Sequence, residues 1–203
     1  MEIQTLLIKP MKIVLTAAIV STALLSGCTT LAKMGVAPGI ADPGTRTTAL
    51  SLTDISLSQA VLRDIFRDIP AARDGRIQVE SFYQVILIVG EVQSAEIKSR
   101  ITQIAKSYKD VRSVHNELEV AVNRGLLDRA GDDMLERKAG FTLATADNVP
   151  SSQTKIVAKN GTVYLMGALT QRQADRAILR LQALDGVTRI VKVLEIVGEP
   201  NAQ

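Results

Sequence analysis

A stretch in the second half of the chain combines two apolar side chains with two cations at helical spacing. At 100° per residue, Met134 and Phe141 fall together on one face of a helix, and Arg137 and Lys138 flank them. An interfacial helix needs this combination, because its apolar side chains enter the acyl boundary of a membrane while its cations meet phosphate. We therefore predict that this face binds anionic lipid.

The same helix carries a second apolar stripe, which leaves an alternative open. Leu135, Ala139 and Leu143 recur at the spacing of a stripe that faces a protein core. In the alternative, the apolar pair only widens this stripe, and the two cations form its solvated rim.

Three arginines recur at every fourth position further along the chain. Arg172, Arg176 and Arg180 fall on one face of a second predicted helix, opposite the apolar Ile178. Each cation near an anionic membrane surface contributes about 1 kcal/mol to binding, so three could act together. Arginines are also common on the solvated back of a helix. The spacing leaves open which of the two cationic faces meets lipid, or whether both do.

No combination of residues is typical of an active site. His115 is the only histidine and Cys28 the only cysteine, so nucleophilic catalysis and metal binding lack their usual partners. His115 falls inside a predicted strand, where we expect a structural role. The acidic pair Asp132 and Asp133 falls where a helix is predicted to begin, and the positive end of the helix dipole explains it. We predict that the protein is not an enzyme and needs no metal and no cofactor.

Cys28 ends a pattern that resembles a secretion signal with a lipobox. Lys12 precedes an apolar run over residues 13–25, and Leu25-Ser26-Gly27-Cys28 closes the pattern. In bacterial lipoproteins the cysteine of this motif becomes the N-terminus and carries acyl chains such as palmitate. These chains contribute about 0.8 kcal/mol for each buried CH₂, which makes anchoring effectively permanent. The alternative is a free or buried thiol beside an uncleaved apolar anchor.

The residues after the cysteine indicate a location and a tether. Gram-negative lipoproteins that stay in the inner membrane commonly carry Asp directly after the cysteine, whereas Thr29 stands here and favours the outer membrane. Residues 30–50 contain several Gly, Pro and Thr without periodicity, which predicts a flexible tether. The predicted division is a signal peptide over 1–27 with Met11 as an alternative start, a lipidated tether over 28–50, domains over 51–122 and 123–198, and a tail over 199–203.

The two predicted domains are copies of one unit. Residues 160–167 begin with an Asn-Gly pair suited to a hairpin turn and continue as a strand that ends at Gly167. Residues 85–92 have the same pattern, with Gly90 aligned to Gly167, and a helix and a strand follow in both copies. The order is α-β-β-α-β. We predict helices over 56–70, 94–107, 132–143 and 170–183, strands over 76–81, 85–89, 114–122, 153–158, 162–166 and 187–197, and a linker over 123–131.

This pair of units behind a lipobox resembles the BON domain family. The resemblance rests on the V-x-L-x-G pattern and is strongest over residues 149–167 and 83–92. It implies an α+β fold of two tandem BON domains, each with a three-stranded mixed sheet covered by two helices on one face. It also implies a non-enzymatic periplasmic protein, anchored in the outer membrane, whose second domain contacts anionic phospholipid. Envelope integrity, cell division and the stress response are the implied context.

The charge distribution also bears on the partner. A net charge of +3 is too small to indicate nucleic-acid binding. Residues 51–123 carry nine basic and ten acidic side chains, against eleven and nine in residues 124–203, so the second copy is the better candidate for an anionic partner. The alternative function is an envelope scaffold or adaptor that binds proteins or cell-wall glycan through exposed strand edges.

Overall fold

The computed structural model describes residues 46–121 and 127–199, and of residues 127–130 it describes the helical backbone. The predicted signal peptide, Cys28, residues 28–45 of the predicted tether and the tail beyond residue 199 lie outside the described residues. None of the described helices is long and apolar enough to span a membrane. Both repeated units fall within the described ranges.

The first unit has the predicted order of elements, with its last strand divided in two. It begins with α1 (Thr48–Asp68) and a short 3₁₀ helix (Pro70–Gly75). The elements that follow are β1 (Gln78–Phe82), β2 (Val85–Val89), β3 (Glu91–Val92), α2 (Ala95–Lys106), β4 (Ser113–Asn116) and β5 (Glu119–Val120).

The second unit repeats this order with continuous strands. Its elements are α3 (Leu127–Ala144), a 3₁₀ helix (Ser151–Gln153), β6 (Thr154–Lys159), β7 (Thr162–Leu169), α4 (Gln171–Gln182) and β8 (Arg189–Ile196). The chain therefore has the predicted α+β fold, with two mixed α/β units in tandem.

The first helix of each unit begins earlier than predicted. Thr47, not Ser56, caps α1, because its hydroxyl oxygen accepts a hydrogen bond from the backbone N–H of Leu50 at 3.2 Å. The folded part thus includes residues 46–50, which the sequence assigned to the tether. Likewise α3 already begins at Leu127, so the predicted linker over 123–131 is wrong for residues 127–131.

The strand register confirms the duplication. In the first sheet β2 lies between antiparallel β1 and parallel β4, and in the second sheet β7 lies between antiparallel β6 and parallel β8. Ile86 on β2 pairs with Val114, and Val163 on β7 pairs with Ile190. These pairs occupy equivalent positions in the aligned copies.

The glycine that aligns between the copies behaves differently in each. Gly90 has a φ of 130° and interrupts the strand between β2 and β3. Gly167, in contrast, continues β7, so the prediction that the strand ends there is wrong. A Cβ atom on Gly167 would lie only 2.5 Å from the backbone oxygen of Gln153, which explains why this position requires glycine.

The helices of each unit pack on one face of its sheet, as predicted. Alternate residues of the central strands point towards these helices, such as Ile86 and Ile88 in the first unit and Val163 and Leu165 in the second. All four side chains are fully buried.

The other faces of the two sheets pack against each other. Leu87 and Val89 of β2 share one apolar cluster with Tyr164 and Met166 of β7. The layers therefore run helices, sheet, sheet, helices. Burial on both faces explains the almost uninterrupted apolar sequences of β2 and β7.

Polar contacts surround this shared cluster. Arg112 of the first unit donates two hydrogen bonds to the Glu195 carboxylate of the second, at 2.8 and 2.9 Å. Lys155 of the second unit forms an ion pair with Glu80 of the first. The helical layers therefore lie on the outer sides of the two packed sheets.

Candidate functional site

The outward face of α3 presents the apolar pair to solvent. Met134 is 57% exposed and Phe141 is 71% exposed. Leu135, Ala139 and Leu143 are buried in the core of the second unit, as predicted. The alternative, in which the apolar pair widens the core stripe, is therefore wrong.

Cations lie on both sides of this apolar pair. Arg137 and Lys138 are both exposed. The Nε of Arg137 donates to the backbone oxygen of Asp133 at 3.1 Å, which holds its side chain back along α3. Lys138 forms no hydrogen bond or ion pair with another described residue. The face thus combines exposed apolar area with two surface cations.

The arginine row lies on the outward face of α4. Arg172, Arg176 and Arg180 are exposed, whereas Ile178 packs against the core on the opposite side, as predicted. Thr170 and Gln173 form a capping box that fixes where this helix begins. The three arginines therefore have a well-defined helical register.

An exposed leucine in the arginine row was not identified from the sequence. Leu179 is 71% exposed. At 100° per residue it lies about 20° from Arg172 around the helix axis. Sequence reasoning followed charge on this helix, although the same periodicity would have placed Leu179 among the arginines.

The first arginine of the row is paired and lines a cleft. Arg172 Nε and Nη2 donate to the Glu199 carboxylate at 3.0 and 2.9 Å. Hydrogen bonding to Arg172 holds the pKa of Glu199 below its usual range. A cleft of 530 Å³ lies beside this pair, and its lining includes Arg172 and Arg176 together with Asn148, Val149, Pro150, Thr170, Gln173 and Glu199.

The two cationic faces belong to one side of the second unit. α3 and α4 contact each other, and both pack on the same face of the second sheet. We call their outward faces together the outer helical surface. Its exposed residues include the apolar and basic side chains of Met134, Arg137, Lys138, Phe141, Arg172, Arg176, Leu179 and Arg180, and the acids Asp133 and Asp175.

Asp132 lies beside a hairpin turn, which corrects its predicted role at a helix end. It lies inside α3, more than one turn after Leu127. Its carboxylate lies beside the turn between β6 and β7, where the backbone N–H groups of Asn160 and Gly161 favour its charged form, and the Lys159 ammonium lies 4.0 Å from it. Burial is the main effect on its pKa and raises it. Asp132 is therefore a structural acid.

The other residues with catalytic chemistry remain isolated. His115 lies on β4, as predicted, opposite Leu87 of β2. Among the described residues no group of histidines, cysteines or acids is arranged to hold a metal ion. Cys28 lies outside the described residues.

Two matches to one family model coincide with the two structural units. The model of the BON domain matches residues 53–122 and residues 131–198. The chain belongs to the BON domain family. Each BON domain accordingly has a three-stranded mixed sheet with two helices on one face, and β3 and β5 extend the pairing of the first.

Two bacterial proteins are similar to this chain. The chain is 29% identical to the outer membrane lipoprotein DolP of Haemophilus influenzae, over 86% of this chain and 91% of DolP. It is 22% identical to the 21 kDa hemolysin of Actinobacillus pleuropneumoniae, over 75% of this chain and 78% of the hemolysin. Both similarities extend across most of this chain.

A solved structure with some similarity is the C-terminal domain of CdsD, a structural protein of the type III secretion system of Chlamydia trachomatis. The sequence identity is 10% and the TM-score is 0.29, over 68% of this chain and 98% of that domain. The TM-score is too low for the two folds to be equated.

The first BON domain also exposes two apolar side chains, but without cations beside them. Leu52 and Ile55 on α1 are 61% and 60% exposed. Their exposed neighbours on that helix face, Ser56 and Gln59, are uncharged. What distinguishes the second BON domain is that two exposed cations, Arg137 and Lys138, lie between its two exposed apolar side chains along one helix.

Proposed function

We propose that this protein is a non-enzymatic lipoprotein of the outer membrane that binds anionic phospholipid through its second BON domain. Cys28 carries the acyl anchor, and the folded part lies on the periplasmic side. Binding supports the integrity of the envelope, including at division sites and under stress. The similarity to a protein named as an outer membrane lipoprotein supports the location.

The exposure of Met134 and Phe141 carries the proposal. Solvent exposure of two large apolar side chains is costly for a soluble surface and useful at a membrane, where they enter the acyl boundary. Arg137 and Lys138 beside them, and Arg176 and Arg180 on the adjacent helix, supply the charge that attracts phosphate.

The predicted anchor and the outer helical surface would act together. If residues 29–45 are the flexible tether that the sequence predicts, they would keep the start of the folded part within a few tens of Å of the membrane, at roughly 5–6 Å times the square root of the tether length. Such proximity raises the effective concentration of a weak contact. The anchor would fix the protein to a leaflet, and the domain would select anionic regions within it.

Co-sedimentation with vesicles tests the proposal. Residues 29–203 contain every described residue and exclude Cys28, so binding would report the folded part alone. We expect binding to vesicles of phosphatidylcholine mixed with phosphatidylglycerol, no binding to phosphatidylcholine alone, and weaker binding as salt is added.

A matched pair of variants locates the contact. Met134→Ser with Phe141→Ser removes the apolar pair beside the cations. We expect this double variant to bind the anionic vesicles at least about tenfold more weakly than wild type. Leu52→Ser with Ile55→Ser removes an equally exposed pair from the first BON domain and should leave binding unchanged. Unfolding curves must stay close to wild type for both variants, because all four residues are exposed.

Two results would contradict the proposal. Equal losses in both variants would mean that the second BON domain has no special role. Failure of the wild-type chain to bind anionic vesicles would remove lipid recognition by the folded part and favour a scaffold that binds envelope proteins or glycan.

A further inference from the structure

A carboxylate of the chain itself occupies the start of α4. Glu199 lies three residues after the end of β8 and accepts two hydrogen bonds from the Arg172 guanidinium, at 3.0 and 2.9 Å. The nearby Thr170 hydroxyl and the backbone N–H of Arg172 also favour its charged form and contribute to the lowered pKa of Glu199. An anionic group is thus already bound where the helix dipole, a hydroxyl and a guanidinium converge.

The cleft beside this carboxylate has more positive charge than Glu199 neutralises. Arg176 lines the same cleft and forms no hydrogen bond or ion pair with another described residue. Asn148 and Gln173 line it as well. Its volume of 530 Å³ leaves ample room for a phosphate group.

We propose that this cleft is a phosphate-binding site of the second BON domain and that Glu199 is its internal competitor. Phosphate and carboxylate both present a pair of acceptor oxygens to the fork of a guanidinium, so a phosphate can replace Glu199 on Arg172. Displacement of Glu199 also leaves both arginines of the cleft available to the incoming anion. Glu199 therefore sets how readily the site binds.

The inference rests on the proposed function for the source of the phosphate, which is the head group of an anionic phospholipid. A free phosphate has the same chemistry and would fit the same donors. The two sources are distinguished by separate measurements on the same variants.

Removal of the internal competitor is the first measurement. In residues 29–203, Glu199→Gln should bind vesicles of phosphatidylcholine and phosphatidylglycerol about five-fold more tightly than wild type, the effect typical of one additional cation at an anionic surface. Asp147→Asn is the matched control, since Asp147 is exposed, adjoins Asn148 and pairs with no other described residue. Asp147→Asn changes the net charge by the same amount as Glu199→Gln, and it should give a clearly smaller gain in affinity for the vesicles.

A double variant that also changes Arg172 tests whether the gain in affinity depends on the release of this arginine. In an Arg172→Gln background, Glu199→Gln should bring no more gain than Asp147→Asn, because the cation that it releases is absent. Equal gains from Glu199→Gln and Asp147→Asn in the wild-type background would overturn the proposal, since they would show a general effect of net charge.

Titration with inorganic phosphate separates the site from membrane binding. In the Glu199→Gln variant, the backbone NMR signals of Thr170 and Arg172 should shift saturably, and by less in wild type. If neither chain binds vesicles but these signals shift, the phosphate site stands and the proposed function fails. If vesicles bind while Glu199→Gln and phosphate have no effect, the proposed function stands and this inference fails.

Discussion

Asp54 and Asp132 lie at the same turn in the two BON domains. Asp54 on α1 accepts hydrogen bonds from the backbone N–H groups of Tyr83 at 3.0 Å and Gln84 at 2.8 Å. Asp132 on α3 lies beside the two residues that close the second hairpin, Asn160 and Gly161, and their backbone N–H groups favour its charged form. All four turn residues have positive φ, so each turn is strained and benefits from a fixed acceptor.

Asp54 also binds a side chain from the residues that precede α1. Asp54 is 1% exposed and accepts from Arg46 Nη2 at 2.7 Å and from the Ser81 hydroxyl at 2.7 Å. The Arg46 guanidinium in turn lies 4.3 Å from the centre of the Phe82 ring. One carboxylate thus connects α1, the hairpin and the residues that precede the helix.

We expect Asp54→Ala to reduce the free energy of unfolding by about 3–5 kcal/mol, because the Arg46 charge and the turn N–H groups would lose a buried acceptor. Urea unfolding followed by circular dichroism measures this loss. Asp110→Ala is the control, since Asp110 is exposed and pairs with no other described residue. A loss no larger than that of the control would contradict the role assigned to Asp54.

The raised pKa of Asp132 predicts a pH dependence with a definite sign. Because burial raises the folded-state pKa above the unfolded value, the folded chain holds the proton to higher pH than the unfolded chain does. The contribution of Asp132 to stability is therefore greatest below about pH 3.9, the unfolded value, and falls as pH rises through the folded pKa.

The Asp132→Asn variant isolates the pH-dependent contribution of Asp132 to stability, since asparagine keeps a side-chain oxygen beside the turn and does not titrate. The unfolding free energy of wild type minus that of the variant should decrease as pH rises from about 4 to 7. Other acids titrate alike in both chains and cancel in the difference. A flat or rising difference would show that the Asp132 carboxyl is not penalised by burial.

The order of elements was predictable because hydrophobic periodicity and turn residues determine it locally. The Asn-Gly pair at 160 and 161 forms the predicted hairpin turn, and the stripe of Leu135, Ala139 and Leu143 is buried as expected. The helix starts at Thr47 and Leu127 were missed, because the amphipathic pattern begins later than each helix does.

The site was predictable only in part, for a different reason. Exposure of Met134 and Phe141 follows from their angle to the core stripe, and the sequence contains that angle. The hydrogen bond between Arg172 and Glu199 joins residues that are 27 positions apart, and no local sequence pattern predicts it. The face-to-face packing of the sheets could not be predicted either. An apolar strand such as β2 indicates burial on both faces, but its sequence does not show what covers the second face.

The shared cluster between the sheets predicts that the two BON domains stabilise each other. Leu87 is fully buried and belongs to the cluster that includes Tyr164 and Met166 of the second domain. We expect Leu87→Ala to cost about 2–5 kcal/mol, because a cavity would open where both domains supply the walls.

Hydrogen exchange shows whether that cost is shared. In the Leu87→Ala variant, amide exchange should become faster in β7 of the second domain as well as in β2, since both strands line the cavity. Ser113→Ala on β4 is an exposed change in the same sheet and should leave exchange in β7 as it is. Faster exchange confined to the first domain would show that each BON domain is stable without the other. The sheet-to-sheet packing would then hold the outer helical surface in place without contributing to the stability of the domain that carries it.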